Sequence, residues 1–370
     1  MKVSVTAEQK ALREAVAALT TRHFTEARVR ELMATDTAFD ELVWQELADM
    51  GLVGLLIPED LGGAGASLSD LGIVVEELGA ALSCGPFLAT AVLTPALLRA
   101  VGDEAEQKAV LPRIAAGELI ATVAFAEGRS ASVPVDLSTT ATESGGQWQL
   151  TGEKNFVLDA APAGVVYVLA QTSEGPSVFA VERAAAGFEP VPLTTVDLTR
   201  KLSCLRFTDT PARLVGAAGA GADAFAAALQ TGGVALVSEQ AGGAHRAMRI
   251  AVDYAKTRFQ FGRAIGSFQA VKHMCADMLL EAESAISAAR HVAAAIDAGA
   301  EDAAADLALA QSYCSDAFVF VAATAIQAHG GIGFTWEHPA HLYLRRARGD
   351  AQLFGSPASH RERYLTLKGA

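Results

Sequence analysis

Two short stretches of this chain carry residue types at spacings that could do chemistry. The first, Arg258-Phe259-Gln260-Phe261-Gly262-Arg263-Ala264-Ile265-Gly266-Ser267-Phe268-Gln269, joins a helical pattern ending near Thr257 to another beginning at Ser267. A guanidinium such as Arg258 can pair two phosphate oxygens at once, and Phe261 offers a flat apolar face for a purine. The same residues would also suit an ordinary interhelical loop with surface arginines. The second stretch is Gln327-Ala328-His329-Gly330-Gly331-Ile332-Gly333-Phe334-Thr335. A helix stops there on paired glycines, which let another backbone or a ligand approach closely and equally describe a plain C-cap.

Other patterns fall short of a site. Gly62-Gly63-Ala64-Gly65 lacks the Lys-Ser/Thr ending and the preceding strand of a phosphate loop, so it reads as a tight turn between helices. Gly330-Gly331-Ile332-Gly333 closes a helix instead of opening one, unlike a dinucleotide fingerprint. His338 and His341 lack a Cys or carboxylate to complete a metal set, and neither an HExxH nor a GxSxG motif occurs. No metal is expected.

The elements that must position these stretches follow from periodicity. Residues 1–118 read as helices, with Thr6 as an N-cap, Phe39, Leu42, Val43 and Leu47 on a second helix, and a third opening at Ser69 or Asp70 and stopping at Gly79. Residues 119–218 carry short apolar runs (Ile120–Phe125, Gln147–Leu150, Val165–Leu169, Val178–Val181) between turn residues, as in a small antiparallel barrel or sandwich, with Gly145-Gly146 as a hairpin signal. Residues 219–370 return to helical spacing over Val234–Thr257, Ser267–Ala298 and Glu301–Ala328, the pattern of a bundle. The fold class is α+β, mainly α: an N-terminal helical domain, a middle β domain and a C-terminal four-helix bundle.

Composition narrows the partners. The chain is 51% hydrophobic and only 19% charged, which excludes disorder, and its net charge of -13 disfavours nucleic acid and anionic membrane. No apolar run is expected to span a bilayer, since the longest candidate, Phe87–Leu98, is broken by Pro95. Residues 1–30 show neither secretory nor transit character, and four scattered cysteines suit a reduced, cytoplasmic setting. Surplus apolar surface is then expected between subunits.

Taken together, the two stretches resemble the acyl-CoA dehydrogenase family. Its pattern R-x-x-F-G-x-x-I-x-x-F-Q-x-x-x-H is met at Arg258, Phe261, Gly262, Ile265, Phe268, Gln269 and His273. Its Q-x-x-G-G-x-G-F is met at Gln327, Gly330, Gly331, Gly333 and Phe334. Trp44, Leu47, Gly51-Leu52, Ile57-Pro58-Glu59 and Glu76-Glu77-Leu78-Gly79 also fall in the family's order, so the resemblance covers essentially the whole chain. It implies FAD at a subunit interface, with the flavin ring between the β domain and bundle of one subunit and the adenosine diphosphate half held by its neighbour. Arg258, Phe261, Gln269, Gln327, Gly330 and Gly331 match the positions that reach across. Phe125, Ala126, Ser132 and Phe156 match the contacts within one subunit. The implied reaction is α,β-desaturation of an acyl-CoA thioester: a carboxylate takes the α-proton, a hydride leaves to the flavin, and an electron-transferring flavoprotein collects the electrons.

The departures concern the flavin's own subunit and the base. The family's T-E-P-G-x-G-S reads Ala126-Glu127-Gly128-Arg129-Ser130-Ala131-Ser132, and its W-I-T reads Phe156-Val157-Leu158. Ala126 and Leu158 thus lack the hydroxyls that would bond a flavin. The usual catalytic Glu is Phe354, and the alternative position on the first bundle helix falls near Gly232. Glu239 lies seven residues on, about 10 Å along the axis, and is the remaining carboxylate candidate. Two readings follow: an acyl-CoA dehydrogenase active as an assembly, or a catalytically deficient subunit that completes a partner's FAD site, as in some actinobacterial steroid-degrading members. A homo- or hetero-oligomer is expected, as a dimer or a tetramer of α2β2 type. Gly232, Gly233, Gly242 and Gly243 could leave room for a bulky acyl chain or serve close helix packing.

Overall fold

Helix starts in the first third are set by side chains that bind otherwise unpaired amides. In the computed structural model, which describes residues 6–369, Thr6 and Gln9 form a reciprocal capping box at the head of α1 (Ala7–His23). After α2 (Glu26–Met33), Asp40 accepts from the amides of Leu42 and Val43 and starts α3 (Glu41–Asp49). Trp44 and Leu47 of α3 face the core, whereas Leu42, expected on the same face, is 84% exposed. The third expected helix, α4 (Leu68–Ala80), begins earlier than its pattern indicated, because Ser67 and Asp70 cap each other's amides. Its first amides, on Leu68 and Ser69, also donate to the carboxylate of Asp297 at 2.8 and 2.9 Å, which ties the helix head to the bundle.

The run Phe87–Leu98 is not broken at Pro95. A fully buried π-helical turn, Phe87–Leu93, passes directly into α5 (Thr94–Val101), where Pro95 occupies the first turn and its missing N–H costs nothing. After α6 (Glu104–Ala115) the chain enters the sheet: β1 (Ala121–Ala124), β2 (Thr140–Ser144), β3 (Gln147–Leu158), β4 (Val165–Thr172), β5 (Gly175–Glu182), β6 (Phe188–Pro192) and β7 (Leu202–Val215). Pairings β4–β2, β2–β3, β3–β7, β7–β5 and β5–β4 close a ring around an interior that includes Leu150, Val168, Phe179 and Leu205. Gly145 and Gly146, with φ of 61° and 79°, make the tight turn between β2 and β3. The barrel is not wholly antiparallel, since β1 and β2 both lie parallel to β4.

The last third is helical: α7 (Gly221–Thr257), a short ribbon of β8 (Phe259–Gln260) and β9 (Arg263–Ala264), α8 (Gln269–Asp297), α9 (Ala303–His329), α10 (Ala340–Asp350) and α11 (Pro357–Leu367). The stretch Ala303–Phe334, which spans α9, is long and apolar enough by length and composition to cross a membrane, contrary to the expectation that no such run exists. Its place explains the composition. The helix packs against α7, α8, α10 and α11, so it is apolar around most of its circumference.

Glycines set how closely α4, α7 and α9 approach. A Cβ on Gly79 would lie 2.3 Å from the Glu239 carbonyl oxygen, and one on Gly242 would lie 1.9 Å from that of Glu76. Gly79 therefore lies inside α4 as a packing residue and does not stop the helix. A Cβ on Gly243 would meet the Phe318 ring at 2.5 Å, and one on Gly233 would meet Gln311 at 2.9 Å. Close packing, not space for a ligand, accounts for these positions. Gly242→Ala is expected to lower stability by about 1–3 kcal/mol or more, because backbone must shift to admit the methyl. Gly331→Ala, with open space around it, should leave the melting temperature in place. Thermal unfolding of the two variants checks this.

Candidate functional site

The residues expected to reach a neighbouring subunit gather at one end of the bundle. Tyr254, in the last turn of α7, stacks on His329, the last residue of α9, with centroids 4.5 Å apart. That contact places the Arg258 ribbon and the Gln327–Gly331 turn at the same end of the bundle. The ribbon is pinned by Arg258 N–H donating to the Tyr254 carbonyl and by Ile265 N–H donating to the Arg258 carbonyl, both at 2.8 Å. Phe261 and Gly262 form its turn, with φ of 54° and 79°. Phe261 is consequently thrust outward and is 92% exposed. Arg258, Gln269, Gln327, Gly330 and Gly331 are exposed as well, and an added Cβ at either glycine would meet nothing within 4 Å. Among the described residues, none of these six lines one of the five clefts of the chain.

The residues expected to act within one subunit divide into two sets. Ser132 and Phe156 line a cleft of about 670 Å³ between the end of β3 and the segment from α10 to α11. Phe156 has φ of 55°, which turns the strand and leaves its ring half-buried on the cleft wall. Arg129, Arg200 and Arg348 line the same cleft. Phe125 and Ala126 are buried elsewhere. Their carbonyls accept from the Lys154 ammonium and the Asn155 amide, and the Phe125 ring packs on Phe225 and Phe354 at centroid distances of 6.0 and 6.2 Å.

The two positions from which a base could be supplied converge on one point. A Cβ at Gly232 would lie 3.4 Å from the Phe354 ring and 2.4 Å from Leu93 Cδ2. Phe354 has φ of 63°, and its amide donates to the Ala131 carbonyl at 3.1 Å. The gap left between Phe125, Phe156, Leu93 and Phe354 is about 10 Å³, at the lower limit for a single water. Aromatic and aliphatic carbon thus fills the place of a carboxylate.

Glu239 is committed elsewhere. Its carboxylate accepts from the guanidiniums of Arg200 and Arg346; Glu239 and Arg346 are buried and Arg200 nearly so. Burial alone would raise its pKa, but the two adjacent cations outweigh that and hold it at about 2. A carboxylate so strongly stabilised as an anion is a poor proton acceptor. Arg346 also donates to Asp197 at 2.8 Å, to the Thr199 hydroxyl and to the Ser83 carbonyl. Two further acids border this cluster. Burial lifts Asp159 to about 7, and burial together with the Glu239 charge drives Asp350 well above the carboxylate range. No short pattern marks Arg200, Arg346, Asp159 and Asp350, because they come from three stretches of chain far apart in sequence, with only Arg346 and Asp350 together on α10. The Arg345-Arg346-Ala347-Arg348 run was the one visible signal.

Comparison with known proteins places this geometry. Family models described as the acyl-CoA dehydrogenase N-terminal and C-terminal domains match residues 6–118 and 219–365. Acyl-CoA dehydrogenase IpdE2 of Mycobacterium tuberculosis is 36% identical over 351 residues, spanning 95% of this chain and 94% of its own length. A variant of the Tcur3481–Tcur3483 steroid ACAD is 30% identical, with a TM-score of 0.87 over 99% of both chains. The ChsE4–ChsE5 complex from Mycobacterium tuberculosis contains a chain 26% identical to this one, with a TM-score of 0.90 over 100% of this chain and 99% of that chain.

The raised Asp159 pKa sets a pH signature. The folded chain keeps this carboxyl protonated up to about pH 7, whereas the unfolded chain ionises it near pH 4, so its effect lowers stability as pH rises between those values. Asp159→Asn should therefore gain stability relative to the parent from pH 5 to pH 8. Urea unfolding at the two pH values measures the difference, and an equal effect at both would contradict the assignment.

Proposed function

The chain belongs to the acyl-CoA dehydrogenase family, and from that premise we propose that it is a subunit of an FAD-dependent acyl-CoA dehydrogenase. The reaction would be α,β-desaturation of an acyl-CoA thioester, with electrons passed to an electron-transferring flavoprotein. The observation that carries this reading is the division of the matched residues. Ser132 and Phe156 face a cleft of the chain itself, whereas Arg258, Phe261, Gln269, Gln327, Gly330 and Gly331 face outward from the far end of the bundle. The cleft suits a flavin nucleotide in size, at about 670 Å³, and in lining, with an aromatic ring and several hydroxyls. FAD, when bound, would supply the hydride acceptor. Phe156 would pack on its ring and the Ser132 hydroxyl would donate to it. The outward residues would hold the adenosine diphosphate half of a neighbouring subunit's cofactor, with Arg258 on phosphate and Phe261 against the purine.

A second reading has its own support. With Phe354 packed over Gly232, and Leu93 and Phe125 beside them, this chain offers no carboxylate at either base position. The chain would then be a catalytically deficient partner subunit, and the base would come from another chain of the assembly. The solved relatives named as pairs, Tcur3481–Tcur3483 and ChsE4–ChsE5, are consistent with such an assembly, and the steroid named for the first suggests a bulky acyl group.

The purified chain separates the readings. One tightly bound FAD per chain, with acyl-CoA oxidation measured by dye reduction, would support the single-chain enzyme. No turnover alone, restored by a family member that carries the Glu, would support the partner role. In whichever assembly binds FAD, Arg258→Ala is expected to weaken it about tenfold or more, through loss of a charge-assisted phosphate contact. Unchanged affinity would remove the assignment of Arg258 to the cofactor.

A further inference from the structure

The cleft beside Phe156 carries an electrostatic feature that the family motifs do not explain. Of the three guanidiniums lining it, Arg200 is neutralised by Glu239, while Asp197 on the same wall is neutralised by the buried Arg346. Arg129 and Arg348 are exposed and line the cleft from separate elements, one on the loop after β1 and the other on α10, and among the described residues neither makes an ion pair. Two unpaired cations facing one cleft are unusual in a chain of net charge -13. The remaining lining includes the hydroxyls of Ser130, Ser132, Thr194 and Thr195, which can donate to oxyanions. Ser130 and Ser132 already lie 2.8 Å apart, so their hydroxyls converge.

We infer that Arg129 and Arg348 form a clamp for the diphosphate of a nucleotide bound in this cleft. A diphosphate offers non-bridging oxygens on two phosphorus atoms, which two guanidiniums from separate elements lining one cleft can each engage bidentately. Low-dielectric walls such as Phe156, Leu202 and Leu353 strengthen that attraction. Arg129 stands where the resembled motif carries a glycine, so this contact is peculiar to the chain. It offsets the absence of the hydroxyls at Ala126 and Leu158 by moving the hold from the ring to the phosphates. FAD and coenzyme A share this diphosphate chemistry. The inference rests on the reading that the chain's own cleft accepts a nucleotide of the proposed reaction.

The test uses the full-length chain and its Arg129→Gln and Arg348→Gln variants, with Arg129→Lys and Arg348→Lys as conservative controls. Binding of FAD, riboflavin, coenzyme A and inorganic pyrophosphate is measured by calorimetry or fluorescence. Each Gln variant is expected to weaken FAD and pyrophosphate about tenfold or more, to leave riboflavin unchanged and to retain the parent melting temperature, with the Lys variants intermediate. A merely structural role would move riboflavin and FAD together, and that result would overturn the clamp. Weakening of coenzyme A with FAD untouched would keep the clamp and assign it to the acyl carrier. If the parent and the variants bind every phosphate ligand equally, the clamp is wrong while the functional reading stands. If the parent binds none of the four probes, the clamp and the single-chain enzyme both fall, and the partner-subunit reading remains.

Discussion

Arg346 is the constraint on which the candidate site depends. Its guanidinium is buried and reaches the Ser83 carbonyl beyond α4, Asp197 and Thr199 ahead of β7, and Glu239 on α7, so one side chain joins three separate parts of the fold to α10. Taking such a cation out of water is costly, and the cost is met only while each partner keeps its place. Arg200 adds a second cation on the same Glu239 carboxylate. The arrangement is high-stakes, because removing one partner of a buried pair costs about 3–5 kcal/mol. Its consequence is positional. With α10 fixed, the segment that follows it must present Phe354 to Phe125 and to the backbone of Gly232.

That placement decides the chemistry of the chain's own pocket. The barrel contributes Phe125, α7 contributes Phe225 and Gly232, and the turn after α10 contributes Phe354, so the place for a base lies where three parts of the fold meet. Glycine at 232 makes room chiefly for Leu93, whose Cδ2 would lie 2.4 Å from a Cβ there, with the Phe354 ring at contact distance of 3.4 Å. The acidic groups nearby are held away from that place or kept protonated. Glu239 is locked between guanidiniums, and Asp159 and Asp350 are neutralised by burial. Meanwhile the opposite end of the bundle is open, with Phe261 and Phe334 92% and 77% exposed on a surface that another subunit can complete.

The local devices were legible where they depend on near neighbours in the chain. The Thr6 cap, the Gly145-Gly146 hairpin, the three long helices and the two family motifs were all visible as short patterns. Boundaries shifted where a partner distant in sequence intervened. Ser67 and Asp297 moved the start of α4, Pro95 proved harmless because a π-helical turn delivers it into a first helical turn, and α9 is more apolar than a surface helix because other helices enclose it.

By itself, then, the sequence determined the order of helical and β segments, the family, the two motifs at Arg258–Gln269 and Gln327–Phe334, and the lack of a carboxylate at positions 232 and 354. These depend on residue identity and short spacing, which chain order preserves. Only the tertiary structure decided that positions 232 and 354 are neighbours, that Glu239 is held between Arg200 and Arg346, that the paired glycines of α7 serve packing, and that Arg129 and Arg348 line one cleft. Each of those depends on distances between residues far apart in the chain. Such distances are set by how α4, α7, α10 and the barrel close around buried charge and glycine contacts, and no local pattern encodes them.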